Sequence, residues 1–257
     1  MKLGIEGRTA IVLGATSGIG SAIADALAAE GVNIVVVGRD ADRTTARAAQ
    51  LASATPVTAD LTEPDAPATI VAAAESAYGQ VDIVVLNGGG PPPGTADATT
   101  PEAAGDAFDL LVRPHVDLVQ RVLPGMRERG WGRFIAVGSS GVHQPLPNLA
   151  LSNLGRAALA GYLKTLANEV AGDGVTVNMV LPGRIQTERV DKLDRANAEK
   201  AGKAVEDVRA ASMATIPVGR YGRPEEFGAV AAFLAGEPAS YVTGQEIRVD
   251  GGLVRAR

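Results

Sequence analysis

Apolar residues along the chain fall into two alternating textures. Short β-branched runs, "TAIVL" at 9 to 13, "NIVVVG" at 33 to 38, "PVTAD" at 56 to 60 and "VDIVVLN" at 81 to 87, are separated by Ala-rich stretches with helical spacing: "SAIADALAAEG", "DADRTTARAAQLA" and "EPDAPATIVAAAESAYG". The order is βαβαβαβ. Runs with almost no polar alternation predict strands buried on both faces, which a parallel sheet covered by helices provides. The pattern then predicts one long helix from about Pro101 to Arg129, a strand "RFIAVGS", a helix from about Asn148 to Ala171 and a strand "VTVNMVL". A charged segment follows Pro182-Gly183, with sparse apolar residues, and is expected to form an exposed helical lid at about 186 to 215. A helix "PEEFGAVAAFLAG" and a strand "QEIRVDGG" close the chain. No repeat, linker or composition break divides it, so residues 1 to 257 are expected to form a single α/β domain, a doubly wound parallel sheet with helices on both faces.

The junction of the first strand and helix, "VLGATSGIGSAIADAL", carries Gly14, Gly18 and Gly20. Glycines there serve a tight turn, or they let the backbone approach a ligand whose pyrophosphate is drawn to the free N–H groups of the helix start. The position after a first strand, ahead of further βα units, favours the nucleotide reading. The spacing is Gly-x3-Gly-x-Gly rather than Gly-x-Gly-x-x-Gly.

Composition narrows the partners. Charged residues make up 21% and the net charge is -5, so a basic field for nucleic acid or an anionic membrane is absent. No cysteine occurs, and the only histidines are His115 and His143, so no metal site is expected. The N-terminal "MKLGIEGRTAIVLGA" has no signal-peptide core, and a soluble, cytoplasmic protein with a small-molecule substrate is the expectation.

The stretch "GSSGVHQPLPNLALSNLGRAAL", 138 to 159, concentrates candidate chemistry: Ser139, His143, Ser152 and Arg156. His143 is its one side chain that titrates near neutrality, which makes it a candidate proton donor to a developing alkoxide, directly or through water, as well as an ordinary loop residue. "GGGPPPG" at 88 to 94 predicts a shaped loop, because three prolines forbid a continuing strand.

Taken together, "LGATSGIG", Asp60 after the third strand, Asn87 in "LNGGG", Ser139 ending the fifth strand, "PGRIQT" from Pro182 and the terminal "VDGG" resemble the short-chain dehydrogenase/reductases over nearly the full length, with the closest general likeness to the 3-oxoacyl-[acyl-carrier-protein] reductase type. The resemblance implies a Rossmann-type fold and a dinucleotide cofactor. It places Gly14, Ser17, Gly18, Ile19 and Gly20 at the pyrophosphate, Asp60 and Leu61 at the adenine, Asn87 and Gly88 at the adenosine ribose side, and Pro182, Gly183 and Ile185 at the nicotinamide. Thr187 resembles the family residue that contacts the carboxamide. NAD-preferring members end the second strand with an acidic residue; here that position is Gly38, and Arg39 follows, able to grip a 2′-phosphate, with Asp40 next to it. NADP(H) is therefore expected, with NAD possible. Family members commonly form tetramers, so a homotetramer or dimer is expected.

One part of the family pattern is missing. Members carry Tyr-x3-Lys thirteen residues after the active-site serine, and an asparagine on the preceding helix. Counting from Ser139 gives Ser152 and Arg156, and the asparagine position falls on Leu111. None of Tyr78, Tyr162, Tyr221 and Tyr241 has a lysine four residues on, so no shift of register restores the pair. An alkyl hydroxyl is a far weaker acid than a phenol, and arginine does not give up its proton, so Ser152 and Arg156 are expected to bind rather than relay protons. Ser139, or Ser140 if the strand end shifts by one, keeps the ability to hydrogen-bond a carbonyl. Two readings stand: an oxidoreductase of the carbonyl reductase or alcohol dehydrogenase type with an atypical site, and a catalytically silent dinucleotide-binding protein that senses redox state or engages a partner. A smaller third class is dehydration or isomerisation on the same scaffold.

Overall fold

Strands and helices alternate along a computed structural model that describes residues 2–255. β1 (Thr9–Leu13), β2 (Asn33–Gly38), β3 (Ala54–Thr58), β4 (Ile83–Leu86), β5 (Gly132–Val137), β6 (Val175–Pro182) and β7 (Glu246–Val249) form one sheet in the order β3-β2-β1-β4-β5-β6-β7. Every neighbouring pair is parallel. The chain winds outward from β1 to β3, returns, and winds the other way from β4 to β7. That reversal leaves a crevice beyond the C-terminal ends of β1 and β4, where ligands of such sheets bind.

The uninterrupted apolar strands serve two cores, because successive side chains point to opposite faces. Ile11 and Leu13 of β1 join Val84 and Leu86 of β4 under α3 (Ala66–Tyr78), α5 (Arg113–Arg129) and α6 (Ala150–Val170). Ala10 and Val12 join Ile83 and Val85 on the other face, under α1 (Gly18–Ala28) and α9 (Pro224–Ala235). The α1–α9 crossing is close: a Cβ on Gly228 would lie 2.5 Å from the Ala22 carbonyl oxygen. α2 (Ala41–Ala48) follows β2, its buried residues being Thr44 and Ala48.

The helix expected over 101 to 129 is two helices. α4 (Pro101–Leu111) ends and α5 begins at Val112, whose φ of -122 and ψ of -58 break the regular backbone. Pro114 accounts for the break, since it offers no N–H to the preceding turn and its ring crowds that turn's carbonyl. The charged segment after β6 is also a pair, α7 (Glu188–Ala201) and α8 (Val205–Ala214), with Gly202 in the left-handed region between them.

Candidate active site

Glycines shape the exit of β1. Gly14 and Gly18 adopt φ of +60 and +57, a backbone that side chains disfavour, and a Cβ on Gly20 would sit 2.2 Å from the Gly14 carbonyl oxygen. Ser17 is exposed and extended, and no side chain caps the first turn of α1. The result is a cradle of N–H groups at a helix start, with no Cβ in the way, which fits a pyrophosphate. Asn87, just past β4, donates from Nδ2 to the Leu13 carbonyl at 3.0 Å and stands 2.9 Å from where a Gly14 Cβ would be. From the far side Thr187, which caps α7 through its hydroxyl, brings its methyl within 3.3 Å of a Gly18 Cβ position. Thus Asn87 and Thr187 both border the glycine turn. Ile19 flanks the turn, half-buried.

At the end of β2 there is no room for any side chain at Gly38: a Cβ would be 2.6 Å from Thr16 Cγ2 and 2.7 Å from Thr44 Oγ1. Arg39 is exposed and its Nη1 lies 3.9 Å from Asp60 Oδ2. Asp60 accepts from the Thr62 N–H and hydroxyl, at 3.0 and 2.9 Å, and these bonds, with a smaller pull from Arg39, hold its carboxyl below the usual range. Asp40 is occupied elsewhere, capping α2 by accepting from the Arg43 N–H. Leu61 lies 3.9 Å from a Gly88 Cβ position, so these two expected contacts share one wall.

β6 ends in Pro182, and Gly183 passes so close to Asp250 that a Cβ there would be 2.7 Å from the Asp250 Cα. Ile185, expected at the nicotinamide, is buried in the α1–α9 core, so its side chain packs rather than lines the crevice.

Beyond β5, Ser139 Oγ accepts from the Gly141 N–H at 3.1 Å. With that acceptor position used, the hydroxyl hydrogen is left to donate. Ser140 is buried in the 3-10 turn that follows, so of the two serines Ser139 is the one facing solvent. Asn153 was passed over in the sequence: its Oδ1 would lie 2.4 Å from a Gly141 Cβ, and its side chain bonds the Leu146 backbone through both Nδ2 (3.0 Å) and Oδ1 (3.4 Å). It fixes the serine loop onto α6. Only its place inside the quoted stretch pointed to it. Ser152 is partly exposed on the first turn of α6. One turn on, Arg156 donates from Nη1 to the Val137 carbonyl at 2.8 Å. Burial, and after it the charge of Arg189, pushes its guanidinium down to about 10.

Leu111 is buried beneath Gly155, where a Cβ would meet its Cδ1 at 2.7 Å. Its side chain belongs to the α4–α6 contact, and its carbonyl lies 2.9 Å from His115 Nδ1. His115 is only 3% exposed, and desolvation lowers it to about 4 despite the Leu111 carbonyl, with Arg156 as a further unfavourable charge. The more conspicuous His143 lies elsewhere: its Nε2 is 2.6 Å from Glu246 Oε2 at the sheet edge, an ion-pair distance that does not meet hydrogen-bond geometry. The proline loop is tied to this region, since the Gly94 N–H donates to the Asn148 carbonyl at 2.9 Å and the Ala150 N–H to the Gly94 carbonyl at 3.1 Å.

The expected lid segment is anchored from beneath. Asp194 of α7 is fully buried and receives Arg184 at 3.3 Å, Arg209 at 3.5 Å and the Tyr221 hydroxyl at 3.0 Å.

Comparison with known proteins follows the same outline. A family model described as enoyl-(acyl carrier protein) reductase matches residues 14–254. The chain is 34% identical to D-beta-hydroxybutyrate dehydrogenase of Cupriavidus necator, over 97% of this chain and 99% of that one. It is 32% identical to the 3-oxoacyl-[acyl-carrier-protein] reductase of Vibrio cholerae, over 98% and 99%. The crystal structure of L-sorbose reductase from Gluconobacter frateurii, complexed with NADPH and L-sorbose, superposes with a TM-score of 0.95 at 33% identity, covering 100% of both chains. With its full-length matches, its single parallel sheet and its glycine turn at the switch in strand order, the chain belongs to the short-chain dehydrogenase/reductase family of NAD(P)-dependent oxidoreductases.

Proposed function

We propose that the protein is an NADP(H)-dependent carbonyl reductase or alcohol dehydrogenase that works without the family's tyrosine and lysine. The observation that carries this reading is Ser139: its Oγ accepts from the Gly141 N–H, which leaves the hydroxyl hydrogen to donate, just past β5, whose Val137 carbonyl receives Arg156. The cradle of Gly14, Ser17, Gly18 and Gly20 would hold the pyrophosphate of NADPH, which when bound would supply the hydride for the carbonyl carbon. Ser139 donates a hydrogen bond to the carbonyl oxygen as it becomes an alkoxide, and the Arg156 guanidinium adds positive charge to the pocket. Water completes the alcohol with a proton. In this reading His143, held against Glu246, braces the loop, and Ser152 binds without relaying protons.

NADP(H) preference is supported by two features of the β2 end. The packing of Thr16 and Thr44 against Gly38 excludes a ribose-binding carboxylate there, and Arg39, exposed and only loosely paired with Asp60 at 3.9 Å, is placed to meet a 2′-phosphate. The L-sorbose reductase relative is described with NADPH. The α7–α8 pair acts as the lid over the substrate, and exposed Phe108 on α4 and Leu154 on α6 support a dimer or tetramer through these helices.

The test is NADPH oxidation over a panel of ketones and aldehydes, with NADH in parallel and Ser139→Ala as control. Turnover that favours NADPH and falls on the order of a hundredfold in the variant is expected. NADPH binding without turnover favours the second reading, a silent dinucleotide-binding sensor, which the absence of Tyr-x3-Lys supports.

A further inference from the structure

Other buried arginine clusters in the molecule are built around carboxylates. At the N-terminal end of the sheet Arg8 and Arg129 meet the buried Asp82 at 3.4 and 3.8 Å, and beneath α7 Arg184 and Arg209 meet Asp194. Arg156 and Arg189 differ. Among the described residues neither has a carboxylate partner, and they are close enough for Arg189 to depress the ionisation of Arg156. Arg156 spends one Nη1 donor on the Val137 carbonyl. Arg189 leaves the first turn of α7 and reaches the exit of β4, its Nη2 2.7 Å from where a Cβ on Gly90 would lie. The glycine makes room for it. Placement at a helix N-terminus adds further positive potential to an already uncompensated cation. Within reach of the Arg156 charge is His115, almost fully buried, whose Nε2 has no hydrogen-bond partner among the described residues. Two like charges facing one crevice with unused donors, and no anion of the protein's own, call for an anion from outside.

We propose, resting on the carbonyl-reductase reading, that Arg156 and Arg189 hold the carboxylate of the substrate, which is therefore a short oxo acid rather than a neutral ketone or sugar. Planar guanidinium forks match a carboxylate in two-point contacts and lose less water on doing so than an ammonium would. Arg156 rests on the Val137 carbonyl, two residues before Ser139, so both groups stand at the end of β5. A carboxylate on the arginines and a carbonyl oxygen on Ser139 suit a 2-oxo or 3-oxo acid. The cofactor's own phosphates are the other source of anionic charge, because Thr187, two residues before Arg189, borders Gly18.

Calorimetric titration of the NADP⁺-saturated protein separates these sources. Pyruvate, 2-oxobutanoate and 3-oxobutanoate are each compared with their methyl esters, in wild type, Arg189→Leu and Arg189→Lys, with NADP⁺ affinity measured on the same preparations. At least one acid is expected to bind about tenfold or more tightly than its ester. Arg189→Leu should abolish that difference, Arg189→Lys should keep part of it, and NADP⁺ affinity should stay within about twofold. Loss of NADP⁺ affinity with acid and ester treated alike would make Arg189 a cofactor clamp and overturn the proposal, as would a wild-type protein that never prefers the acid. Binding is read without turnover, so a protein that prefers the acid yet reduces nothing would overturn the reductase reading while leaving the anion site standing.

Discussion

A methyl group is too much at Gly20. With only 2.2 Å between its Cβ position and the Gly14 carbonyl, Gly20→Ala must push α1 away from the turn. Overpacking of this kind costs about 1–3 kcal/mol. A lower melting temperature and a loss of NADPH affinity on the order of tenfold are expected by thermal melting and calorimetry. His115 gives a pH prediction. Its folded-state value of about 4 lies below the usual 6.5, so the unfolded chain binds the extra proton first. Stability is therefore complete above about pH 6.5 and falls as pH drops toward 4, by on the order of 3 kcal/mol. Urea unfolding at pH 7.5 and 4.5 should show a smaller drop for His115→Gln than for wild type; equal drops would remove His115 from the account. The two histidines also show where sequence reading stops. His143 drew attention because it stands four residues from Ser139, while His115 looked like a helix-facing residue. Their contacts, Glu246 for His143 and the Leu111 carbonyl and Arg156 for His115, come from elements that residue spacing does not align.

At the scale of elements, the strands were legible because apolar runs buried on both faces have no competing reading: β1 and β2 coincide with "TAIVL" and "NIVVVG". The break at Val112 was less so. Helical periodicity continues across it, and only Pro114 signals that the hydrogen-bond ladder stops. The charged segment 186 to 215 read as exposed, and most of it is, yet its fastening is one buried carboxylate that no pattern of polar positions distinguishes from its neighbours. Asp194→Ala leaves Arg184 and Tyr221 without their carboxylate and Arg209 with Asp191 alone, and losing one member of a buried charged set costs about 3–5 kcal/mol. We expect hydrogen exchange across α7 and α8 to accelerate at least tenfold, with β1, β4 and β5 unchanged. Unaltered exchange in α7 and α8 would show that the segment is held by other contacts.

Across the whole molecule, the reversal of strand order between β1 and β4 sets the crevice, and everything proposed for function gathers at its edge. Phe108 and Leu154, 45% and 50% exposed on α4 and α6, are large apolar residues to leave in water. Light scattering should report a dimer or tetramer, and Phe108→Asp with Leu154→Asp should shift it toward monomer. The fold and its glycine turn could be read from sequence because glycines and buried runs act locally. The proposed acid–base half could not, because Arg156, Arg189 and His115 meet through contacts across β4, β5, α5 and α7 that local sequence does not display. The claim that this altered half still supports hydride transfer is tested most directly by a single-turnover experiment. Protein in excess over NADPH deuterated at both C4 positions is mixed with the carbonyl panel, and products are read by mass spectrometry. The account predicts one deuterium on the alcohol carbon of a product, formed by wild type and lost in Ser139→Ala. Bound NADPH that transfers no deuterium to any substrate, oxo acids included, would contradict it.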